Sequence, residues 1–327
     1  MPALTRRDTL KKIALAGLAI GALPASRAAA SDAAKRLPVG SGYYRKQIGD
    51  IELLVIADGA ITLDAKVFGA GKATPAEVRD ALEATYQPTD AVPTHIHCWV
   101  IKTAGKTILV DTGIGGVWGP GSGLLRDHLA NAGLSPASIT DVVLTHAHPD
   151  HLFGALDSDG NLAFPNAVHH IAQAELDQWR QLHDQVDSIG DETFAGMVRG
   201  IHQYLQGIQS KTKIAKDGDA IAPGVTVMSL PGHTAGHFGL RLESQGQRHW
   251  FLADIAHNHE LFFSHPEWGI DYDTDPAQAI ATRKKIFAQV AREGIEVSGS
   301  HMPFPAIGHI AKADSGYRWL PELWRWS

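Results

Sequence analysis

The sequence predicts an α/β protein, an αβ/βα sandwich folded as a single domain. Short apolar runs rich in β-branched residues alternate with segments of helical periodicity, and no linker long enough to divide the chain separates them. Several of these runs end at histidine or aspartate, which is where such a sandwich collects its active-site residues. The composition, 44% hydrophobic and 20% charged, is ordinary for a globular protein with a sizeable core.

The first 30 residues have the layout of an export signal. Arg6 and Arg7 precede an apolar run over residues 13–23, and three alanines at 28–30 supply small residues for cleavage. The paired arginines also resemble a twin-arginine signal, so we expect residues 1–30 to be removed and the mature protein to be periplasmic or secreted, with no stable membrane anchor. The alternative is an amphipathic helix kept in the mature protein, which the glycines of the run and the proline after it oppose.

Residues 31–327 are then the folded domain, and its charge limits the partners that it can bind. Removing the leader takes away five basic residues and one acidic residue, which lowers the formal net charge from −6 to −10. A protein this acidic does not resemble a nucleic-acid binder, so a small molecule is the expected partner. The sequence leaves open whether the domain is a monomer or a homodimer.

Predicted strands and helices alternate along the domain. Seven apolar runs are predicted as strands, over residues 51–59, 95–101, 107–111, 141–144, 225–230, 250–253 and 295–298. Ser122 is predicted to cap a helix that ends near Ala132. Two helices over residues 173–205 are expected to lie over the site entrance. Asp275-Pro276 begins a further helix, which ends near Gly294.

A dense group of metal-ligand side chains follows the predicted strand at 141–144. His146, His148, Asp150 and His151 stand within six residues, in the pattern HxHxDH. Two histidines spaced by two at a strand end can point the same way, while the Asp-His pair beyond them can turn toward a second ion. The alternative is a polar loop that is rich in histidine for no chemical reason, but the strand before it favours a metal site.

Three further candidate ligands lie at the ends of later strands. His233 follows the run 225–230 in a glycine-rich turn, Asp254 follows the run 250–253, and His301 follows the run 295–298. A site for two metal ions needs more than four ligands, and these positions supply the rest.

The ordered set of motifs resembles the five-motif pattern of the metallo-β-lactamase-fold hydrolases. The motifs are Asp111-Thr112-Gly113, the HxHxDH run, His233, Asp254 and His301. Segments 162–167, 243–247 and 304–310 are similar to those of methyl parathion hydrolase and its lactonase-like relatives. The resemblance covers roughly residues 40–320. It implies the metallo-β-lactamase fold, an αβ/βα sandwich of four layers.

The resemblance also implies a binuclear metal-dependent hydrolase. In it His146, His148 and His233 bind one divalent ion, Asp150, His151 and His301 bind the other, and Asp254 bridges them. With no cysteine in the set, nitrogen and oxygen ligands favour zinc, with cobalt, manganese or iron able to substitute. A hydroxide bridging the ions would attack ester-type substrates, which gives Asp150 and Asp254 the catalytic role. Asp111 and His237 would orient ligands, although turn formation is the alternative for both.

Substrate contacts are expected from loop residues, namely Trp118, Trp179, Phe194, His257 and Tyr272. Each aromatic side chain could instead belong to the core. His257 stands where the organophosphate hydrolases have an aliphatic residue, which makes the pocket more polar and disfavours aryl phosphotriesters.

The favoured function is hydrolysis of lactones, aryl esters or phosphotriesters. Three alternatives remain open: a metal-dependent nuclease or phosphodiesterase, a mononuclear iron oxygenase, and a non-catalytic metal-binding module. The acidic surface and the leader oppose the first, and the complete set of seven ligands opposes the other two.

Overall fold

The computed structural model describes residues 40–119 and 121–323, so the predicted leader lies outside the described residues. Two seven-stranded sheets form the body of the molecule. Within the described part of the chain, no helix combines the length and the apolar character that crossing a bilayer requires.

The first sheet contains the first seven strands in sequence order. Neighbours pair antiparallel as far as β4, and β4 to β7 run parallel. The strands are β1 Tyr43–Ile48, β2 Ile51–Asp64, β3 Ala91–Thr103, β4 Lys106–Val110, β5 Asp141–Val143, β6 Val168–Ala172 and β7 Thr212–Ala215.

The second sheet contains the remaining seven strands, also in sequence order, and only β11 and β12 pair parallel among them. The strands are β8 Ala220–Ala222, β9 Val225–Ser229, β10 Phe238–Ser244, β11 Gln247–Phe251, β12 Glu296–Ser298, β13 Ile307–Lys312 and β14 Tyr317–Pro321. All seven predicted strands are therefore present, with β2 longer than expected.

Seven α-helices flank the sheets within residues 40–119 and 121–323. They are α1 Pro75–Glu83, α2 Leu125–Asn131, α3 Pro149–Leu152, α4 Gln173–His183, α5 Glu192–Ile208, α6 Leu261–Ser264 and α7 Pro276–Glu293. Short 3-10 helices lie at Ala65–Val67, Pro136–Ser138, Phe153–Ala155, Val186–Ser188, Gln209–Lys211 and Ala253–Ile255. Helix α7 begins as predicted, because Asp275 accepts a hydrogen bond from the Gln278 amide, and Gly294 ends it in a left-handed conformation.

The predicted cap of helix α2 was wrong. The helix begins at Leu125, and Ser122 instead donates a hydrogen bond to the Gly119 carbonyl oxygen. A side chain from β2 satisfies the first helical amide, since Asp58 Oδ1 accepts from Leu125 N at 2.9 Å. A cap supplied from a distant strand leaves no local sequence signal.

Successive side chains along each strand point to opposite faces of the first sheet, and both faces are buried. On β2, Leu53 and Val55 pack into the core between the sheets, whereas Leu54 and Ile56 belong to a second core on the opposite face, which also contains side chains of helices α2, α4 and α5. Trp99 from β3 meets Phe251 from β11 across the gap between the sheets, with ring centroids 4.2 Å apart. Helix α7 covers the outer face of the second sheet. The four-layer αβ/βα sandwich is thus confirmed.

Candidate metal centre

The seven predicted ligands converge at one edge of both sheets. Each stands just beyond a strand: the HxHxDH run after β5, His233 after β9, Asp254 after β11 and His301 after β12. Pro149 at the first position of α3 starts the helical turn that carries Asp150 and His151, and the His151 ring lies beside that of His146 with centroids 4.0 Å apart. Gly232 allows the turn before His233, because a Cβ there would lie 2.2 Å from the Ala279 nitrogen.

Three histidines form the first group of candidate ligands. His148 Nδ1 lies 3.1 Å from His146 Nε2 and 2.9 Å from His233 Nε2. Burial lowers the pKa of all three side chains well below the usual histidine value, so they are neutral imidazoles. Neutral nitrogens with converging lone pairs are the arrangement that zinc prefers.

Asp150, His151 and His301 form the second group. The Asp150 carboxylate lies 3.4 Å from His151 Nε2 and 3.7 Å from His301 Nε2. Burial would lower the pKa of His151, but the carboxylates of Asp254, Asp150 and Asp111 outweigh burial and raise it well above the usual value. The same acidic surroundings would attract a cation.

Asp254 lies between the two groups. Its Oδ2 is 2.9 Å from His301 Nε2, 3.3 Å from His151 Nε2 and 3.5 Å from His233 Nε2. Its Oδ1 is buried without a hydrogen-bond partner among the described residues, and the same is true of His151 Nε2. Buried polar atoms are rarely left unpaired, so these two atoms are suited to binding metal ions.

Asp111 fixes the orientation of two ligands. Its Oδ2 accepts hydrogen bonds from His151 Nδ1 at 2.8 Å and from Thr145 Oγ1 at 2.9 Å. The Thr145 hydroxyl in turn accepts from His146 Nδ1 at 3.1 Å. These bonds set the tautomers that leave each Nε2 free for a metal. Asp111 does so with a φ of 58°, a left-handed conformation that aspartate tolerates better than most residues.

His237 is not one of the candidate metal ligands, because both of its ring nitrogens are hydrogen-bonded to the backbone. Its Nδ1 donates to the Leu230 carbonyl oxygen at 2.7 Å, and its Nε2 accepts from the backbone amide of Asp254 at 3.0 Å. Burial lowers its pKa to about 4, which keeps Nε2 available as an acceptor. His237 thus holds the backbone at the bridging position.

Sequence reasoning missed Asp273. Its buried Oδ1 accepts a hydrogen bond from His233 Nδ1 at 2.9 Å. Asp273 thus orients the His233 ring in the way that Asp111 orients the ring of His151. The residue belongs to none of the motifs. Its one signal in the sequence is an acidic side chain shortly before helix α7.

A cavity of about 1340 Å³ opens onto the candidate ligands, and all five predicted substrate contacts line it. Helices α4 and α5 contribute Trp179 and Phe194 and thus border the cavity as expected. Trp118 and Tyr272 are half-buried. His257 also lies beside the candidate ligands, because its Nε2 is 3.2 Å from Asp254 Oδ2 and it forms a further potential ligand group with His233 and Asp254.

Comparisons with known proteins agree with this geometry. A model of the metallo-beta-lactamase superfamily matches residues 91–301. The solved structure of AidC, a dizinc quorum-quenching lactonase in complex with the product N-hexanoyl-L-homoserine, is 30% identical with a TM-score of 0.80, covering 87% of this chain and 98% of AidC. The hydrolase AbOPH is 33% identical with a TM-score of 0.79 and the same coverage.

A more distant relative is the N-acyl homoserine lactonase of Bacillus cereus, which is 23% identical over 270 residues, 75% of this chain and 92% of the relative. The matched region of the family model begins at β3 and ends at His301, so it contains all seven candidate ligands. The chain therefore belongs to the metallo-beta-lactamase superfamily and is a metal-dependent hydrolase of that fold.

Proposed function

We propose that this protein is a binuclear lactonase that opens the ester bond of neutral lactones, with aryl esters and phosphotriesters as poorer substrates. The observation that supports it most is the convergence of six histidine and aspartate side chains around Asp254, whose Oδ1 is buried without a hydrogen-bond partner among the described residues. The similarity to AidC, a dizinc lactonase, favours two zinc ions and a lactone substrate.

The two groups of ligands would each hold one ion. His146, His148 and His233 would bind the first, Asp150, His151 and His301 the second, and Asp254 both. When bound, the pair of ions supplies an activated water nucleophile and polarises the scissile carbonyl. No serine or cysteine nucleophile is required in this reaction.

The remaining side chains would position the substrate. Trp179 and Phe194 present apolar surface to the cavity, which suits the acyl chain of a lactone. Burial raises the pKa of Tyr272, so its hydroxyl remains protonated and can donate a hydrogen bond to the polar end of the substrate.

His257 favours a carboxylic ester over a phosphotriester. It is buried beside Asp254 and stacks on His301, with ring centroids 5.0 Å apart. A planar carbonyl needs less room beside this imidazole than a tetrahedral phosphorus with three substituents does. The polar ring is also a poor neighbour for an apolar aryl phosphotriester.

The test combines metal analysis with a substrate panel. The mature protein should contain close to two zinc ions per chain after mild dialysis and should hydrolyse lactones with the highest kcat/KM. Asp254→Ala should lose metal and activity together, by about 100-fold or more for loss of a direct ligand. Asp187→Ala is the matched control, since that carboxylate lies on the surface near Arg199.

Other outcomes would contradict the proposal. An Asp254→Ala variant with both ions and normal turnover would remove the bridging role. A single bound ion with Asp150→Ala harmless would exclude the binuclear centre. Oxygen consumption by an iron-loaded form, or cleavage of nucleic acid in preference to esters, would favour the alternative functions.

A further inference from the structure

Glu175, in the first turn of helix α4, is completely buried beside the metal centre without being one of its ligands. Its Oε1 accepts hydrogen bonds from the backbone amide of Ala147 at 2.9 Å and from Trp179 Nε1 at 2.7 Å. Its Oε2 accepts from Thr234 Oγ1 at 2.6 Å and from the backbone amide of Gly236 at 3.1 Å. The four bonds satisfy both oxygens of the carboxylate.

The partners of Glu175 belong to the two loops that carry the three-histidine group. Ala147 stands between His146 and His148, and Thr234 directly follows His233. These loops extend from different sheets, one after β5 and the other after β9. A single carboxylate therefore joins the two halves of one candidate metal position.

The fourth partner of Glu175 reaches the substrate cavity. Trp179 lies one helical turn after Glu175 and lines the cavity, and its ring lies near His148 with centroids 5.8 Å apart. The loop after β9 also packs closely on α4, because a Cβ at Gly236 would lie 2.5 Å from the Glu175 nitrogen. The same residue thus contacts both ligand loops and the wall of the cavity.

We propose that Glu175 is a positioning residue. It fixes the loop of His146 and His148 relative to the loop of His233 and thereby sets the metal affinity of the three-histidine position. This inference rests on the proposed binuclear centre. The three N–H donors around the carboxylate cannot reverse their polarity, whereas the Thr234 hydroxyl can. In Glu175→Gln the amide nitrogen should therefore take the Oε2 position, keeping the Ala147 and Trp179 bonds and losing the one from Gly236.

The experiment titrates the zinc-loaded holoenzyme with a zinc chelator and counts the zinc retained per chain. Glu175→Gln should release one of the two ions at a chelator concentration about 10- to 100-fold lower, the usual effect of losing an outer partner of the ligands. Trp179→Phe is the matched control, because it removes one donor from Glu175 but leaves its three bonds to the ligand loops. It should retain zinc as the wild type does.

Two double variants, each combining Glu175→Gln with the loss of one metal position, identify which ion is affected. With His148→Ala, which removes the three-histidine position, adding Glu175→Gln should not change the affinity of the remaining ion. With Asp150→Ala, which removes the other position, adding Glu175→Gln should weaken the remaining ion. Should Glu175→Gln fail to fold, as judged by circular dichroism, Thr234→Val removes a single bond and should weaken the same ion by about 3- to 10-fold.

The outcomes separate this inference from the proposed function. Fewer than two zinc ions in the wild type would contradict the binuclear centre, whatever Glu175 does. Wild-type zinc retention in folded Glu175→Gln, or in Thr234→Val where the former does not fold, would overturn the positioning role. Equal losses in Glu175→Gln and Trp179→Phe would also overturn it, because they would indicate general packing.

Discussion

Asp273→Asn tests whether the outer partner of His233 sets metal affinity. The wild-type carboxylate fixes the protonated nitrogen of His233 as Nδ1 and leaves Nε2 for the metal. Asparagine keeps the shape and one acceptor oxygen, but it loses the negative charge that strengthens the hydrogen bond. We expect zinc affinity at the three-histidine position to fall by about 10- to 100-fold, or about 1.4 to 2.7 kcal/mol.

The assay for Asp273→Asn is competition for zinc between the protein and a chromophoric chelator at fixed pH. Asp275→Asn is the control, because it removes the same charge two residues later, and asparagine still caps helix α7. Two results would refute the reasoning: wild-type zinc affinity in Asp273→Asn, or an equal loss in Asp275→Asn, which would indicate a general charge effect.

Three further predictions concern specificity, stability and export. His257→Leu should raise kcat/KM for a dimethyl aryl phosphotriester relative to a medium-chain lactone by about 10-fold, or about 1.4 kcal/mol; an unchanged ratio would contradict the ranking of substrates. Burial disfavours ionised Glu296, but hydrogen bonds from His249 and Lys46 outweigh burial and lower its pKa from 4.5 to about 2. The stabilisation that ionised Glu296 contributes is then present above pH 4.5 and is lost as the pH falls toward 2. Glu296→Gln should therefore lower the free energy of urea unfolding by about 2 to 3 kcal/mol at pH 6 and by less at pH 3. A difference that does not depend on pH would exclude the ionised carboxylate as its cause. We also propose twin-arginine export, so replacing Arg6 and Arg7 by lysine should leave the precursor in the cytoplasm, and unchanged delivery would indicate another route.

Much of the candidate site was predictable because its ligands follow a local rule. Each stands a few residues beyond an apolar run, and a strand end places the next residues at the edge of a sheet. The spacing of His146, His148, Asp150 and His151 is likewise a property of one continuous segment. The fold class was predictable for the same reason, since seven strands left clear apolar runs in the sequence.

Two of the residues that support the ligands could not be predicted in this way. Asp273 and Glu175 act through partners that are distant in the sequence, so only the packed structure pairs them with His233 or Ala147. The cap of helix α2 was wrong for the same reason, because Asp58 supplies it from another strand. A serine before a helix is a common local signal, and tertiary contacts overrode it here.

The convergence of ligands at an edge shared by both sheets links metal occupancy to the stability of the whole domain. Each proposed ion would be held from β5 on one sheet and from two strands of the other, β9 and β11 or β11 and β12, so it would bind the folded chain in preference to the unfolded one. Zinc should then raise the melting temperature by mass action, in proportion to the logarithm of its free concentration. A cavity introduced between the sheets, such as that left by Trp99→Ala, should in turn appear as weaker apparent zinc binding once a measurable fraction of the chains is unfolded.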